Sequence, residues 1–246
     1  MQKLYPNVEP SRIAKWDNRY MRLRSVTNVA FAVTLSLVTV ACRSESIEHG
    51  PIAPPTSDLP LATSPARATA VFAGGCFWGT QAVFERVKGV IATAAGYSGG
   101  SAKTAHYDDV TTETTDHAES VEVVYDPSRL TYGQLLRVFF TIHDPTTLNR
   151  QGPDTGTSYR SAIFYANDDQ KRIAQAYIAQ LDAAHAWKHK IVTQVVPLKA
   201  FYRAEDYHQD YALKNPNNPY IQVCDRPKIA TLKADYPDLY VDYKGH

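Results

Sequence analysis

The chain has 246 residues, 44% of them hydrophobic and 21% charged, with a formal net charge of +1. So even a balance excludes a broadly basic surface for nucleic acid, and the hydrophobic share excludes a chain too polar to fold. Three cysteines, Cys42, Cys76 and Cys224, are too few for a disulfide scaffold and lack the paired spacing of a structural zinc site.

The N-terminal part reads as a targeting segment. Met21-Arg22-Leu23-Arg24 precedes an uncharged run from Val29 to Ala41, followed by Cys42. A basic head, a short apolar stretch and a small residue make an export signal, since a run of about 13 residues is too short to span a bilayer. Met21 is a better start for this signal than Met1. Thr39-Val40-Ala41-Cys42 resembles a lipoprotein cleavage site, with Thr39 where that pattern usually has Leu, so lipidation at Cys42 and plain secretion both stay open. Residues 1–42 are thus assigned to an N-terminal extension and export signal. Residues 43–68 carry Pro51, Pro54, Pro55, Pro60 and Pro65 and are expected to be a disordered linker. Extended, at ~3 Å per residue, that linker would reach roughly 80 Å.

Residues 69–246 are expected to form one domain. Ala70–Ala73 reads as a strand and Thr80–Lys88 as a helix with Val83, Phe84 and Val87 on one face. Gly96-Tyr97-Ser98-Gly99-Gly100 reads as a loop. Glu119–Tyr125 alternates as a strand does, with Val121, Val123 and Tyr125 on one side. Thr131 can cap a helix bearing Leu135, Leu136, Phe139 and Ile142, which stops before Asp144-Pro145. Asn149 to Thr157 is polar loop, Tyr159–Tyr165 a strand, and Asn167 caps a helix carrying Ile173, Tyr177, Ile178 and Leu181. Ile191–Leu198 is the last predicted strand. Beyond it lies a long irregular tail with a short helix near Tyr207–Lys214. The pattern predicts an α+β fold: a two-layer sandwich with a mixed sheet and a ferredoxin-like core.

The chemistry concentrates at Gly74-Gly75-Cys76-Phe77-Trp78-Gly79. A thiol between a strand and a helix meets free N–H groups and the positive end of the helix dipole, which favour a thiolate. Two glycines let the backbone turn sharply before it. Phe77 and Trp78 supply an apolar wall with one polar handle. These residues predict an exposed, activated nucleophile beside a small apolar pocket. A buried small cysteine is the bland alternative. Glu119 alone would be a solvated edge charge. His117-Ala118-Glu119 echoes the H-x-E of zinc deaminases, but the companion P-C-x-x-C is missing, so no metal is expected.

Several motifs together resemble the peptide methionine sulfoxide reductases of the A type. They are Gly75-Cys76-Phe77-Trp78-Gly79, Gly96-Tyr97-Ser98-Gly99-Gly100, His117-Ala118-Glu119, His143-Asp144-Pro145-Thr146, Asn149-Arg150-Gln151-Gly152, Asp154-Thr155-Gly156, Tyr159-Arg160-Ser161 and Glu205-Asp206-Tyr207-His208-Gln209. They stand in the family's order and cover most of residues 70–243. The resemblance implies that Cys76 is the nucleophile and Glu119 the acid, and that Phe77 and Trp78 hold the substrate methyl group. Tyr107 and Tyr159 would bind the sulfoxide oxygen, and Asp154 would help position or activate the site. It further implies reduction of the S epimer of methionine sulfoxide in peptides and proteins, and repair of oxidative damage. No prosthetic cofactor is implied, only a thiol reductant such as thioredoxin.

Many relatives carry a resolving cysteine just after a C-terminal Asn-Pro-x-Gly-Tyr. Here Asn217-Asn218-Pro219-Tyr220 is followed by Ile221, and Cys224 comes three residues later. Resolution by Cys224 on a mobile tail and direct reduction by an external thiol both remain open. The expected partners are a thioredoxin-like reductant and oxidised proteins or peptides, with no nucleic acid. The protein is expected to be an exported monomer, periplasmic or tethered to a membrane through Cys42, and cytoplasmic if the signal is not used. Two other functions compete: a cysteine acyl transferase with His143 or His208 as base, and a peptide-binding module without turnover.

Overall fold

A computed structural model describes residues 50–243 and 245. The proposed export signal and Cys42 lie outside these residues. The chain runs β1 (Ala68–Gly74), α1 (Phe77–Phe84), β2 (Val90–Ser98), α2 (Tyr107–Val110), β3 (Ala118–Tyr125) and α3 (Tyr132–Thr141). A small hairpin of β4 (Arg150–Gln151) and β5 (Asp154–Thr155) follows, then β6 (Ser161–Tyr165), α4 (Asp168–Ala183), β7 (Gln194–Pro197) and β8 (Phe201–Arg203). Last come α5 (Tyr211–Lys214) and α6 (Arg226–Asp235).

Six strands form one sheet in the order β7-β6-β1-β3-β2-β8. Its middle, β6-β1-β3-β2, is the antiparallel order of a ferredoxin-like βαββαβ unit, and the parallel β6–β7 pair makes the sheet mixed. The α+β reading therefore holds. In β1, Val71 and Phe72 point to opposite faces, yet both are buried. One face packs against the helices, where Phe72 stacks on Phe84 at 5.3 Å and on Phe139 at 5.0 Å. The other face is closed by Val71, Ala73, Ala118, Ala162 and Phe164 under Val196, Leu198 and Phe201. A strand covered on both sides reads as a continuous apolar run, as Ala70–Ala73 does.

Both predicted helix caps form. Thr131 and Gln134 make a reciprocal capping box at α3, and Asn167 Oδ1 accepts from Gln170 N at α4.

Three expectations fail. Gly96-Tyr97-Ser98 is strand rather than loop: Tyr97 pairs opposite Glu119, and Gly96 opposite Ser120. A Cβ at Gly96 would stand 2.4 Å from both Phe201 Cζ and the Tyr202 carbonyl, so the glycine is there to let β8 approach. The proline-rich stretch is not a free tether where it is described. Ile52 is buried, its carbonyl accepts from Arg137 Nε at 2.7 Å, and Tyr177 OH donates to the Ala53 carbonyl at 2.6 Å. Asp58 accepts from Gly133 N at the start of α3. Composition forbids this segment from ordering itself, but α3 and α4 supply the partners it lacks.

The tail is likewise not irregular. A π-type turn (Ile221–Asp225) leads into α6, and α6 packs on α1 with Leu232 fully buried. Pro227 in its first turn is suited to a helix start. Its faces differ little in polarity, so its order comes from tertiary packing rather than from an apolar stripe.

Candidate active site

The site is built where β1 ends and α1 begins. Gly75 has φ +88°, a left-handed conformation open to glycine at no steric cost, and the turn leaves Cys76 at the N-cap of α1. A Cβ on Gly75 would also stand 2.6 Å from Gln151 Cβ, so the polar loop after α3 presses on this turn. Gln151 is itself tied down, accepting from Asp144 N at 2.9 Å and donating to the Asp144 carbonyl at 2.6 Å.

β3 lies next to β1 and delivers Glu119 to the same turn. Glu119 Oε2 accepts from the Phe77 backbone N–H at 3.0 Å, one residue from the thiol. The carboxyl is 3% exposed. Burial pushes its pKa up to about 8, helped by Asp154, Glu113 and Asp225 and opposed by the Phe77 N–H. At neutral pH Glu119 is therefore a carboxylic acid with a proton to give.

Cys76 departs from expectation in its state. It is 7% exposed rather than open to solvent. Burial, then Glu119 and Asp225, hold its pKa well above the ordinary thiol value, while the Trp78 N–H and Lys228 act the other way. The helix start is present as the sequence suggests. Desolvation outweighs it, so the resting group is a thiol.

Phe77 and Trp78 stand in an aromatic box. The Phe77 ring lies 4.9 Å from His208, and Trp78 stacks on Tyr211 at 3.8 Å with an interplanar angle of 10°. Trp78 Nε1 donates to His208 Nδ1 at 3.1 Å, which leaves the ring proton of a neutral His208 on Nε2. Tyr107, at the start of α2, packs 4.5 Å from the same histidine. Glu205 fixes it there, accepting from Tyr107 N and from Tyr97 OH, both at 2.9 Å.

Tyr159 closes a 3-10 turn (Thr157–Tyr159) that the Glu113 carboxylate holds by accepting from Ser158 N at 2.8 Å. Tyr107 and Tyr159 both feel charge on Glu119 and Cys76, and burial raises both phenols so that they stay protonated donors. Asp154, on β5, accepts from the Tyr220 hydroxyl, and the Tyr220 ring sits edge-on to Trp78 at 6.0 Å.

Cys76, Phe77, Trp78, Tyr107, Glu119, Asp154 and Tyr159 thus converge. Cys224 stands on the π-type turn, one residue before Asp225, whose carboxylate rests on the first turn of α1. That turn is a packed element and not the mobile tail expected. His143, an alternative base, is buried away from any such role. Its Nδ1 bonds the Phe139 carbonyl, its Nε2 bonds Ser161 Oγ, and burial lowers its pKa to about 4. Tyr211, Tyr220 and Glu205 escaped sequence reasoning as site residues, and His208 entered only as a base for the competing acyl transfer. Tyr220 directly follows an Asn-Pro pair, and Glu205 and His208 share one motif, but with 16 tyrosines in the chain no single one stood out. Among the described residues no cluster of three or more His, Cys, Asp or Glu could hold a metal ion.

A buried thiol beside a protonated carboxyl, with phenol donors and an aromatic wall, fits the class of thiol enzymes that protonate a group while attacking it. Comparison with known proteins narrows this class. The family model for peptide methionine sulfoxide reductase matches residues 68–238, and the chain belongs to that family. It is 56% identical over 178 residues to peptide methionine sulfoxide reductase MsrA 2 of Mesorhizobium japonicum, covering 72% of this chain and 91% of that one. It is 51% identical over 187 residues to MsrA 2 of Synechocystis sp., covering 75% and 87%. Among solved structures, Mxr1 of Saccharomyces cerevisiae in reduced form aligns with a TM-score of 0.57 at 34% identity, covering 66% of this chain and 92% of that one. Methionine sulfoxide reductase A of Corynebacterium diphtheriae gives 0.55 at 36% identity, covering 68% and 87%. The chain is an oxidoreductase acting on methionine sulfoxide.

Proposed function

We propose that the enzyme reduces the S epimer of methionine sulfoxide, in peptides, in proteins and as the free amino acid. Cys76 acts as nucleophile and Glu119 as acid. The observation that carries this reading is the Glu119 carboxyl bonded to the Phe77 N–H at 3.0 Å, beside the thiol and protonated at neutral pH.

A sulfoxide sulfur becomes electrophilic when its oxygen takes a proton. Oε2 of Glu119 is occupied by Phe77 N–H, which leaves the other oxygen of the acid to give its proton to the substrate. The Cys76 sulfur attacks the sulfoxide sulfur, while the phenols of Tyr107 and Tyr159 stabilise charge gathering on the oxygen. Collapse returns the thioether and leaves the oxygen on Cys76 as a sulfenic acid. The sulfoxide S–O bond breaks as the oxygen bonds to the Cys76 sulfur, so the sulfoxide is reduced by two electrons and the thiol oxidised by two; the oxygen keeps the proton Glu119 gave, and the proton lost from the thiol replaces it on Glu119. Phe77 and Trp78 reward burial of the S-methyl group, and a pocket walled on one side admits one sulfoxide hand.

A dithiol reductant of the thioredoxin type then restores Cys76. Cys224 is the candidate resolving thiol: its thiol would attack the sulfenic sulfur, releasing water and forming a Cys76–Cys224 disulfide for the reductant to open. That step requires the Ile221–Asp225 turn to unwind. The signal-like N-terminus supports export, to the periplasm or to a membrane held by lipid on Cys42.

The test is an epimer-resolved assay with dithiothreitol and then with thioredoxin. Reduction of the S epimer alone is expected, and turnover of the R epimer at an equal rate would overturn the reading. In a separate single turnover without reductant, mass spectrometry is expected to find the Cys76–Cys224 bridge. A sulfenic acid that persists and is trapped by dimedone would remove Cys224 from the cycle without touching the first half-reaction.

A further inference from the structure

The C-terminal helix carries a buried ion pair to the turn that holds the thiol. Lys228 Nζ lies 3.3 Å from Asp225 Oδ1, with the Asp225 side chain wholly buried and that of Lys228 18% exposed. The pair presses on Gly79, three residues after Cys76 in the first turn of α1. A Cβ there would stand 2.0 Å from Asp225 Oδ1 and 3.0 Å from Lys228 Nζ, so the absence of a side chain is what admits the pair. Asp225 Oδ2 is buried with no hydrogen-bond partner among the described residues. Buried ion pairs add little net stability over an apolar replacement, because desolvating two charges cancels most of their attraction. The location of this one points to another use.

The titratable groups whose charge bears on Cys76 include Glu119 from β3, Tyr107 from α2, Tyr159 from its 3-10 turn, and Tyr220, Asp225 and Lys228 from the C-terminal segment. Five of these are acids or phenols, and only Lys228 is a cation. Anionic sulfur in such a site has a single favourable charge to lean on. We infer that Lys228, held by Asp225 over the first turn of α1, is a positioning cation that stabilises negative charge on the Cys76 sulfur as it attacks, so that α6 completes the active site. The inference rests on Cys76 being the nucleophile. It assigns Lys228 and Asp225 together: the carboxylate holds the ammonium at the helix start, and the ammonium offsets part of the opposition that the carboxylate sets against a thiolate there. The influence is mutual, since Lys228 lowers the thiol pKa and the thiolate raises that of Lys228.

The test is iodoacetamide alkylation of the reduced full-length protein as a function of pH, read peptide by peptide by mass spectrometry so that Cys42 and Cys224 are scored apart from Cys76. Lys228→Gln is expected to move the Cys76 midpoint up by about one pH unit, a roughly tenfold slower rate on the rising limb, with the high-pH plateau unchanged. Lys228→Arg is expected to restore the midpoint. Left without its lysine, Asp225 would oppose the thiolate less once it takes up a proton, so Lys228→Gln is also read in an Asp225→Asn background, where the same rise is expected. A Lys228→Gln protein with native circular dichroism and a Cys76 midpoint unmoved in that background overturns the inference. Should those variants not fold, Lys228→Met, an uncharged side chain of similar length, is read the same way, and an unmoved midpoint there overturns it equally. Alkylation reports the thiol whether or not it attacks a sulfoxide, so a failure here leaves the proposed reaction standing and is distinguishable from its failure.

Discussion

Cys76→Ser is expected to remove methionine sulfoxide reduction by a factor on the order of 10⁴ or more, the scale of losing a nucleophile. Two effects combine. A serine hydroxyl is far harder to ionise than a thiol, and this site already opposes an anion through burial and its carboxyl neighbours. The second effect is chemical: oxygen transfer to sulfur gives a sulfenic acid, whereas transfer to a serine oxygen would require an O–O bond. The side chains are close in size, so the fold should survive at a 7% exposed position. Chromatographic separation of a sulfoxide peptide from its reduced form, after a single turnover, reads the loss. Product at the wild-type rate would end the assignment of Cys76.

Glu119→Gln is expected to lower kcat/KM by about 10²- to 10⁴-fold, the range for removing a general acid. The amide oxygen can still accept from Phe77 N–H, so the geometry is retained while the transferable proton is lost. The pH profile separates the proton from the geometry. With the native carboxyl pKa at about 8, wild-type kcat/KM should fall as pH rises through about 8, because the acid form disappears. The glutamine variant should lack that limb at its reduced level.

The same substitution should act on stability in the opposite direction. Between its ordinary value of 4.5 and about 8, Glu119 keeps its proton in the folded protein but loses it in the unfolded chain. The folded state binds more protons there, so this group makes stability decline with rising pH through the window and leaves it flat above. Each unit of difference corresponds to roughly 1.4 kcal/mol. Glu119→Gln should therefore be more stable than wild type by a few kcal/mol at pH 8 and by little near pH 4.5, as urea unfolding at the two pH values will measure. A variant no more stable at the higher pH would mean that Glu119 is charged in the folded protein and is not the acid.

The local elements were the most legible. Gly74-Gly75-Cys76 before a helical run places a thiol at a strand-to-helix turn, and the structure has it there. Thr131 and Asn167 announce their helices through short-range hydrogen bonds, which depend on residues three positions away. The same local signals misled at Gly96-Tyr97-Ser98. Its glycine answers the approach of Phe201 and Tyr202, more than a hundred residues on, and not a turn. The strap from Pro51 onward and helix α6 were missed for a related reason. Neither carries a strong pattern of its own, and both are ordered by distant partners such as Tyr177, Arg137 and α1.

The chain taken alone determined which reactive groups exist and where the backbone turns around them. The thiol follows two glycines, Glu119 opens a strand of alternating valines, and Phe77 and Trp78 adjoin the thiol. These are matters of residue type and nearest-neighbour sterics. Packing alone decided their chemical state. Burial turned an expected thiolate into a thiol and supplies the reason Glu119 holds the proton that the family resemblance implies, because desolvation depends on everything that surrounds a group. The sheet order that sets β3 beside β1, and the helix that brings Lys228 to Gly79, arise from contacts far apart in the chain.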